Sequence, residues 1–441
     1  MPTQQAQLGR ASATYIAKIL QVSTGKTVWR WRLTERGFAS TKAADCDWSL
    51  PGILPEGASG KLLTLTITPS DDEGFTSKHL AIEAIFDYGP IQLKYVIWAY
   101  PDAPGIRTQL WLRGTVSPVA AGSQEEHTAI VEIAVARRRY IGYYNDTQHR
   151  NLASTPLLRD EVLTGTGSET VPWASAAGLE SERGVGLLLV QESHKCVNQR
   201  GVNTGAFVFD GKSLMCSGLR LAPADITPDR WRECWAVWTI QYDGQIPLSR
   251  ALKHFARLRY PSDPKRDFYA QANTWGSGGS NGIDSKAMAH EDVVLKELDS
   301  VADLGLDALQ IDDGWQGNQT QGNHWRPDPM LYPQGWKNVV AKAKEKNITL
   351  NLWAASMKIS SEDLRWNFEQ AYFRSWKLDF ASLKTPDQIE QNIAKVRQFI
   401  LSTKHQTRAT WDVTENASRY GYFWAREYGG VWRVQVIKVV R

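Results

Sequence analysis

The spacing of apolar residues predicts two kinds of structure along the chain. Up to about residue 246, short runs of β-branched and aromatic residues are separated by turn-forming clusters such as Ser70-Asp71-Asp72-Glu73-Gly74. The runs lie at 62–68, 79–88, 91–100, 107–113, 129–136, 184–191 and 231–242. Many short strands with turn signals between them are typical of a large sandwich of antiparallel sheets.

A helical segment marks the end of this region. Residues 246–260 carry apolar side chains at helical spacing. Pro261 and Pro264 then interrupt the helix, because proline lacks the backbone N–H that the helix needs. We therefore expect a β-sandwich domain at 1–262, with a helical linker near its end, and a second domain at 263–441.

The second domain alternates strand-like and helix-like segments. Such alternation predicts parallel βαβ units, and no G-x-G-x-x-G motif follows a strand, which disfavours a dinucleotide-binding sheet. We therefore expect a TIM-type (β/α) barrel, with a sixth strand within 431–440. The five clear strands lie at 271–275, 307–311, 349–354, 376–380 and 410–413.

Acidic, basic and aromatic side chains lie at the ends of these five strands. In a parallel α/β barrel the C-terminal strand ends face the active site, so we expect these side chains to converge on one mouth. Each motif taken alone also has a structural explanation, since Asp-Gly is a common turn and Lys-x-Asp also occurs in surface salt bridges. In chain order the residues are Trp275, Asp312, Asp313, Trp315, Trp353, Lys377, Asp379 and Asp412.

Composition narrows the function classes. Apolar residues make up 42% and charged residues 22%, as in globular proteins, and a net charge of +4 is too small to indicate nucleic-acid binding. The outlier is tryptophan, with 19 of 441 residues. Indole faces can stack on sugar rings, although all-β cores and barrels also contain many tryptophans, and that explanation covers most of them.

The candidate chemistry is glycoside hydrolysis. The sequence has no H-E-x-x-H motif, so a metalloprotease is not indicated. It has one G-x-S-x-G match, Gly278-Gly279-Ser280-Asn281-Gly282, but this match lies in a glycine-rich loop on which no helix is predicted to start, so a serine hydrolase is not indicated either. We expect no metal and no organic cofactor. Retaining glycosidases need one carboxylate to attack the anomeric carbon and a second to protonate the leaving oxygen.

Three motifs carry a resemblance to a known family. Asp312-Asp313-Gly314-Trp315, Leu350-Asn351-Leu352-Trp353 and Trp376-Lys377-Leu378-Asp379 occur in the order and spacing of the melibiase-type retaining α-galactosidases. The chain resembles this family over about 268–430, and the family also has a β-sandwich ahead of a (β/α)8 barrel. The resemblance implies an exo-α-galactosidase that acts on a carbohydrate substrate.

The resemblance also implies individual roles. Asp379 would be the nucleophile and Lys377 would contact sugar hydroxyls. Asp312 and Asp313 would bind hydroxyls at the O4/O6 side of galactose, and Trp315 would line the pocket. Trp275 and Trp353 are candidate walls.

The chain departs from the family in its last part. The fifth strand carries Thr410-Trp411-Asp412-Val413-Thr414-Glu415-Asn416 where the family has a Cys/Ser-Gly-rich segment, and the W-x-S-D-like motif of the acid/base is absent. The second domain is also shorter than the about 250 residues of a full barrel. We therefore expect a truncated or frameshifted product whose full-length form has a further Asp. Among the acids present, Asp412 is the best candidate for the acid/base, ahead of Glu415 and Glu427.

Other functions remain open at this stage. The chain can be a related glycosidase that acts on α-glucosides or α-N-acetylgalactosaminides, or a carbohydrate-binding remnant without the acid/base. No signal peptide and no apolar stretch of membrane-spanning length is visible, so the sequence as written predicts a cytoplasmic protein without a membrane partner. An oligomer is possible, but the sequence does not indicate one.

Overall fold

The computed structural model divides the chain into two compact units, Met1–Pro261 and Ser262–Arg441. Each unit is described by itself. The structure describes residues 3–42, 45–54, 57–116, 126–134, 136–143, 158–165, 167–192, 204–277, 284–317, 325–381, 385–412 and 431–432.

The first unit is built from antiparallel strands and one longer helix, α1 (Leu248–Arg259). The strands, β1 to β20 in chain order, are Gln4–Leu8, Ala11–Ile16, Ile19–Ser23, Val28–Thr34, Gly37–Ser40, Asp47–Ser49, Lys61–Ser70, His79–Asp87, Ile91–Ala99, Gly105–Gly114, His127–Glu132, Arg137–Tyr143, Leu158–Thr164, Glu169–Val171, Ala176–Glu180, Gly186–Gln191, Phe207–Phe209, Ser213–Ser217, Arg232–Glu233 and Val237–Tyr242.

These strands form three sheets. One follows the chain order from β1 to β5, and a ten-stranded sheet runs β13-β12-β15-β16-β20-β10-β9-β8-β7, with β19 beside β10. The third runs β14-β17-β18-β11-β6. The antiparallel sheets predicted for this part of the chain are therefore present.

Alternating side chains bury one face of each sheet. In β4, Trp29 and Trp31 are buried, whereas Arg30 between them is exposed, as expected because successive strand residues point to opposite faces. A single apolar core takes residues from all three sheets, with Trp31, Leu93 and Phe207 as representatives. The sheets are thus layers around one core, the arrangement that stabilises β-sandwiches.

The second unit alternates helices and strands. After the single turns α2 (Pro264–Asp267) and α3 (Thr274–Ser277), its helices α4 to α7 are Glu291–Asp303, Lys337–Glu345, Ser361–Ala371 and Pro386–Ser402. The strands, β21 to β26, are Gln271–Asn273, Ala308–Ile311, Thr349–Ala355, Ser375–Asp379, Arg408–Asp412 and Val431–Trp432.

The six strands of the second unit form one parallel sheet in chain order, β21-β22-β23-β24-β25-β26. Helices lie between most of the successive strands, as the βαβ pattern predicts. Within the described residues no pairing joins β26 to β21, and the closed TIM barrel remains a prediction.

The two faces of this sheet differ in chemistry. The register pairs Gln310 with Asn351 and Trp353 with Lys377, so these polar side chains share one face with Asp379, two residues after Lys377. On the other face Leu309 pairs with Leu350, and helices α4 and α5 pack against the two strands that carry these residues. The polar face therefore carries the predicted site residues towards the C-terminal strand ends.

The first parallel strand is shorter than predicted. It was expected at 271–275, but β21 ends at Asn273, and Thr274 and Trp275 begin the helical turn α3. The turn has a packing reason, because the buried Thr274 hydroxyl accepts a hydrogen bond of 3.0 Å from the Asp312 N–H. A polar contact between two strand ends that are far apart in the sequence thus sets where β21 ends.

Candidate active site

The Asp312 carboxylate is the most enclosed acid at the sheet end. Asp312 follows β22 directly and is only 2% exposed. Its Oδ1 accepts from the Asp313 N–H at 2.9 Å, and its Oδ2 accepts from Lys377 Nζ at 3.1 Å. A buried carboxylate is tolerated when a cation and hydrogen-bond donors compensate for lost hydration, and Asp312 has both.

Lys377 bridges two carboxylates. It lies on the same face of β24 as Asp379, and its Nζ is 3.1 Å from Asp312 Oδ2 and 3.9 Å from Asp379 Oδ2. All three side chains are buried. The structure therefore brings together the Asp motif after β22 and the Lys-x-Asp motif of β24, which are 65 residues apart in the sequence.

The Asp379 carboxylate is held on both oxygens. The Phe380 N–H donates to Oδ1 at 2.7 Å, and Trp353 Nε1 donates to Oδ2 at 3.2 Å. The backbone carbonyl of Asp379 accepts from the Ser356 N–H at 2.6 Å. Since its backbone and side chain are both fixed, the carboxylate is held in one position at the end of β24.

Asp313 lies further out. Its side chain is 16% exposed, and its Oδ2 is 3.3 Å from Lys286 Nζ. Gln316 Nε2 donates to Oδ1 at 2.5 Å, while Gln316 Oε1 accepts from the Gly314 N–H. Each carboxylate of the Asp pair therefore has its own lysine, which offsets the repulsion between two neighbouring acids.

Four indole rings pack against one another, and one of them, Trp353, contacts Asp379. Trp315 lies 5.3 Å from Trp336 and 6.0 Å from Trp325 between ring centroids, and Trp325 lies 6.0 Å from Trp353. Trp315 Nε1 donates to the Trp353 carbonyl at 3.0 Å. All four residues are buried, so much of their area stabilises the sheet end by packing.

The remaining predicted residues are less enclosed or not described. Trp275 is 43% exposed on α3. Asp412 is the last residue of β25, where its backbone pairs with Trp432, and its side chain lies outside the described part of the structure. Glu415 and Glu427 also lie outside the described residues.

Three contacting residues were not singled out from the sequence. Gln316 follows the Asp-Asp-Gly-Trp motif directly, so its position was a usable signal. Thr274 and Lys286 belong to the segment after β21 and carry no motif. Only the fold shows that this segment packs on the end of β22.

Within the described residues, no group of three or more His, Cys, Asp or Glu side chains is placed to hold a metal ion. Among the same residues, no helix combines the length and the apolar character needed to cross a membrane.

Comparisons with known proteins show which solved structures share this fold. No protein-family model and no curated protein matches the sequence. Several solved structures match most of the chain. GH36 α-galactosidase AgaA from Geobacillus stearothermophilus is 12% identical with a TM-score of 0.55, covering 93% of this chain and 72% of its own. AgaB from the same organism is 12% identical with a TM-score of 0.57, covering 90% and 72%.

The galactosidase domain of the α-galactosidase-sucrose kinase AgaSK is 10% identical with a TM-score of 0.58, covering 89% of this chain and 71% of its own. Variants of AgaA have been crystallised with 1-deoxygalactonojirimycin, raffinose and stachyose. At this identity the likeness is one of fold. The chain therefore has a glycoside hydrolase fold, that of the GH36 α-galactosidases.

Proposed function

We propose that this protein is a retaining glycoside hydrolase that acts on terminal α-galactosides, with Asp379 as the nucleophile. The observation that carries the proposal is the Asp379 carboxylate, buried at the end of β24, fixed by the Phe380 N–H and Trp353 Nε1, and 3.9 Å from Lys377 Nζ. The fold neighbours crystallised with galactose-containing sugars support the substrate class.

The other strand-end residues would bind the sugar. Asp312 and Asp313 present carboxylate oxygens that can accept hydrogen bonds from hydroxyls, and the Lys377 ammonium can donate to a sugar oxygen. Trp275, which is 43% exposed, would contribute apolar surface around the ring, and the buried Trp315 and Trp353 would support the site from the packed layer. No cofactor takes part in this proposal.

The reaction would proceed in two displacements. Asp379 attacks the anomeric carbon, the bond from that carbon to the leaving oxygen breaks, and a protonated acid supplies the proton that the leaving oxygen needs. Water then displaces Asp379 with the same acid acting as a base. Asp412 is the candidate for the acid/base among the acids of this sequence.

An aryl α-galactoside with a very good leaving group tests the proposal. Because such a group leaves without protonation, the nucleophile can react even where the acid is missing. We expect a hexosyl adduct on the peptide that contains Asp379, detected by peptide mass spectrometry, and no adduct in Asp379→Ala. Asp303→Ala, which removes an exposed carboxylate on α4, is the matched control and should label like the wild type.

The outcomes separate the alternatives. Sugar binding without an adduct, in a protein folded by circular dichroism, would reject catalysis and leave the carbohydrate-binding remnant. Faster labelling by an α-glucoside or an α-N-acetylgalactosaminide than by the galactoside would keep the mechanism and replace the substrate.

A further inference from the structure

The segment after β21 brings a second lysine to the Asp pair. Lys286 Nζ is 3.3 Å from Asp313 Oδ2, and the lysine side chain is 57% exposed. Among the described residues, Asp313 is its ion-pair partner. An ammonium has three donors, so the contact with Asp313 leaves donors of this exposed side chain available for a further partner.

The backbone of Lys286 is fixed although its side chain is exposed. Its N–H donates to Asp284 Oδ1 at 3.0 Å, and its carbonyl accepts from the Ala289 N–H at 3.0 Å. Gly314 lies against that carbonyl with φ +131°, and a Cβ at this glycine would lie 2.1 Å from the Lys286 oxygen. A glycine is therefore required for the turn after Asp313 to approach Lys286 this closely.

The two Asp–Lys pairs form a matched arrangement. Asp312 pairs with Lys377 at 3.1 Å, and Asp313 pairs with Lys286 at 3.3 Å. A hydroxyl both donates and accepts hydrogen bonds, so one carboxylate with one ammonium satisfies both capacities of a single hydroxyl. Two such pairs on consecutive residues complement two neighbouring hydroxyls.

The two Asp–Lys pairs differ in how exposed their side chains are. The side chains of Lys377 and Asp312 are 8% and 2% exposed, whereas those of Lys286 and Asp313 are 57% and 16% exposed. The enclosed pair suits a hydroxyl fixed on the sugar ring. The outer pair suits a hydroxyl on a rotatable exocyclic carbon, because both the lysine and that carbon can adjust to each other.

We propose that Lys286, together with Asp313, recognises the exocyclic hydroxymethyl group of the bound sugar and thereby selects hexopyranosides over pentopyranosides. The inference rests on the proposed function. Lys286 would contact the substrate and set its specificity, and it would take no part in the bond-breaking step.

The test compares two aryl glycosides with the same very good leaving group, an α-D-galactopyranoside and a β-L-arabinopyranoside. The second has the same ring configuration without the hydroxymethyl group. In Lys286→Met, we expect the concentration for half-maximal labelling of Asp379 by the galactoside to rise roughly tenfold to a hundredfold, since one charge-assisted hydrogen bond is lost. The value for the arabinopyranoside should stay as in the wild type.

Further variants complete the design. Lys286→Arg, which restores a cationic donor, should recover most of the loss, and Lys344→Met, at an exposed lysine of α5, should behave like the wild type. If Lys286→Met does not retain a wild-type circular dichroism spectrum, Lys286→Gln provides the same comparison.

Three results would overturn the inference. If both glycosides label Asp379 in the Lys286 variants as they do in the wild type, the lysine makes no sugar contact. If labelling by both glycosides falls equally, the lysine has a structural role. In either case, labelling of Asp379 in the wild type leaves the proposed function intact. Failure of both glycosides to label the wild type would reject the proposed function and this inference together.

Discussion

At the scale of single residues, Trp353 links the indole cluster to the candidate nucleophile. Its Nε1 donates to Asp379 Oδ2 at 3.2 Å, and its carbonyl accepts from Trp315 Nε1 at 3.0 Å. A donor held by packing keeps an acceptor in one position at little entropic cost. Trp353 is therefore placed to orient the carboxylate as well as to fill space.

Replacement of Trp353 by Phe tests this orientation. The variant removes one N–H donor and keeps most of the apolar ring, so we expect the rate of adduct formation on Asp379 to fall roughly tenfold to a hundredfold. Trp336→Phe is the matched control, because the Nε1 of Trp336 donates to Asn367 at 2.9 Å instead of to Asp379. Equal rate losses in the two variants would contradict the orienting role.

Sequence reasoning at this scale identified some residues and not others. Asp312, Lys377 and Asp379 were expected at one site, and the structure brings them together, because parallel strand ends meet at one edge of a sheet. Lys286 could not be found in this way. Its contact with Asp313 depends on the path of the chain after β21 and on the close approach that Gly314 permits.

At the scale of elements, helix α7 supports the end of β24. Lys395 on α7 donates to the Ser356 carbonyl, and the Ser356 N–H donates to the Asp379 carbonyl at 2.6 Å. Burial lowers the pKa of Lys395 to about 8, because the ammonium loses hydration within the protein. The connection from β23 to α6 is thereby tied both to β24 and to α7, the helix that follows β24.

This lysine makes the stability of the second unit depend on alkaline pH. Because the folded pKa is lowered from 10.5 to about 8, the unfolded chain binds more protons between these values, and stability rises as pH increases through this window. We expect the free energy of unfolding to increase by about 2 kcal/mol from pH 7.5 to 10, relative to Lys395→Met. Denaturant titrations followed by hydrogen exchange on second-unit peptides measure the free energy of unfolding at each pH. If the wild type and Lys395→Met show the same dependence on pH, Lys395 does not cause the effect.

Helix starts and strand ends differ in how far along the chain their determinants lie. At the starts of α6 and α7, Ser360 accepts from the Asp363 N–H and Thr385 from the Gln388 N–H, so each cap is a local interaction between residues three apart in the sequence. The end of β21 was predicted two residues too late. It is set by the Thr274 contact with Asp312, which is 38 residues away in the sequence.

At the scale of the whole molecule, the first unit also buries a cluster of charged residues. In the first unit, Glu192 accepts from Arg107 on both carboxylate oxygens, and Arg259 Nε lies 3.1 Å from its Oε1. Burial alone would raise the pKa of Glu192, but the two guanidinium groups outweigh burial and hold it well below its usual range. His79 is fully buried near this cluster, with its ring 4.4 Å from that of Trp98.

His79 makes the first unit sensitive to acid. Burial, reinforced by the charges of Arg107 and Arg259, lowers the pKa of His79 to about 4, so its neutral form is the one that fits the fold. Since the unfolded chain binds the proton near pH 6.5, stability is complete above that pH and is lost as pH falls towards 4.

We expect the free energy of unfolding of the first unit to fall by about 2 kcal/mol between pH 7.5 and 5 because of this residue. His79→Phe keeps an aromatic ring beside Trp98 and should remove that part of the pH dependence. Hydrogen exchange on first-unit peptides at the two pH values provides the measurement. An identical acid slope in the variant would show that other groups carry the effect.

The division into sheet layers and parallel βαβ units could be read from periodicity, since alternation and helical spacing are properties of contiguous residues. Closure of a barrel could not, because it depends on a pairing between the first and last strands of the sheet, far apart along the chain.

The packed indoles of Trp315, Trp325, Trp336 and Trp353 also give the second unit an optical property. Their centroids lie 5.3 to 6.0 Å apart with tilted rings, close enough for the transition dipoles of neighbouring indoles to couple. Such coupling contributes to near-ultraviolet circular dichroism, a signal that disappears when side-chain packing loosens. Because Trp353 also contacts Asp379, occupation of the site and the integrity of its supporting layer can be followed in the same spectrum, without an added label.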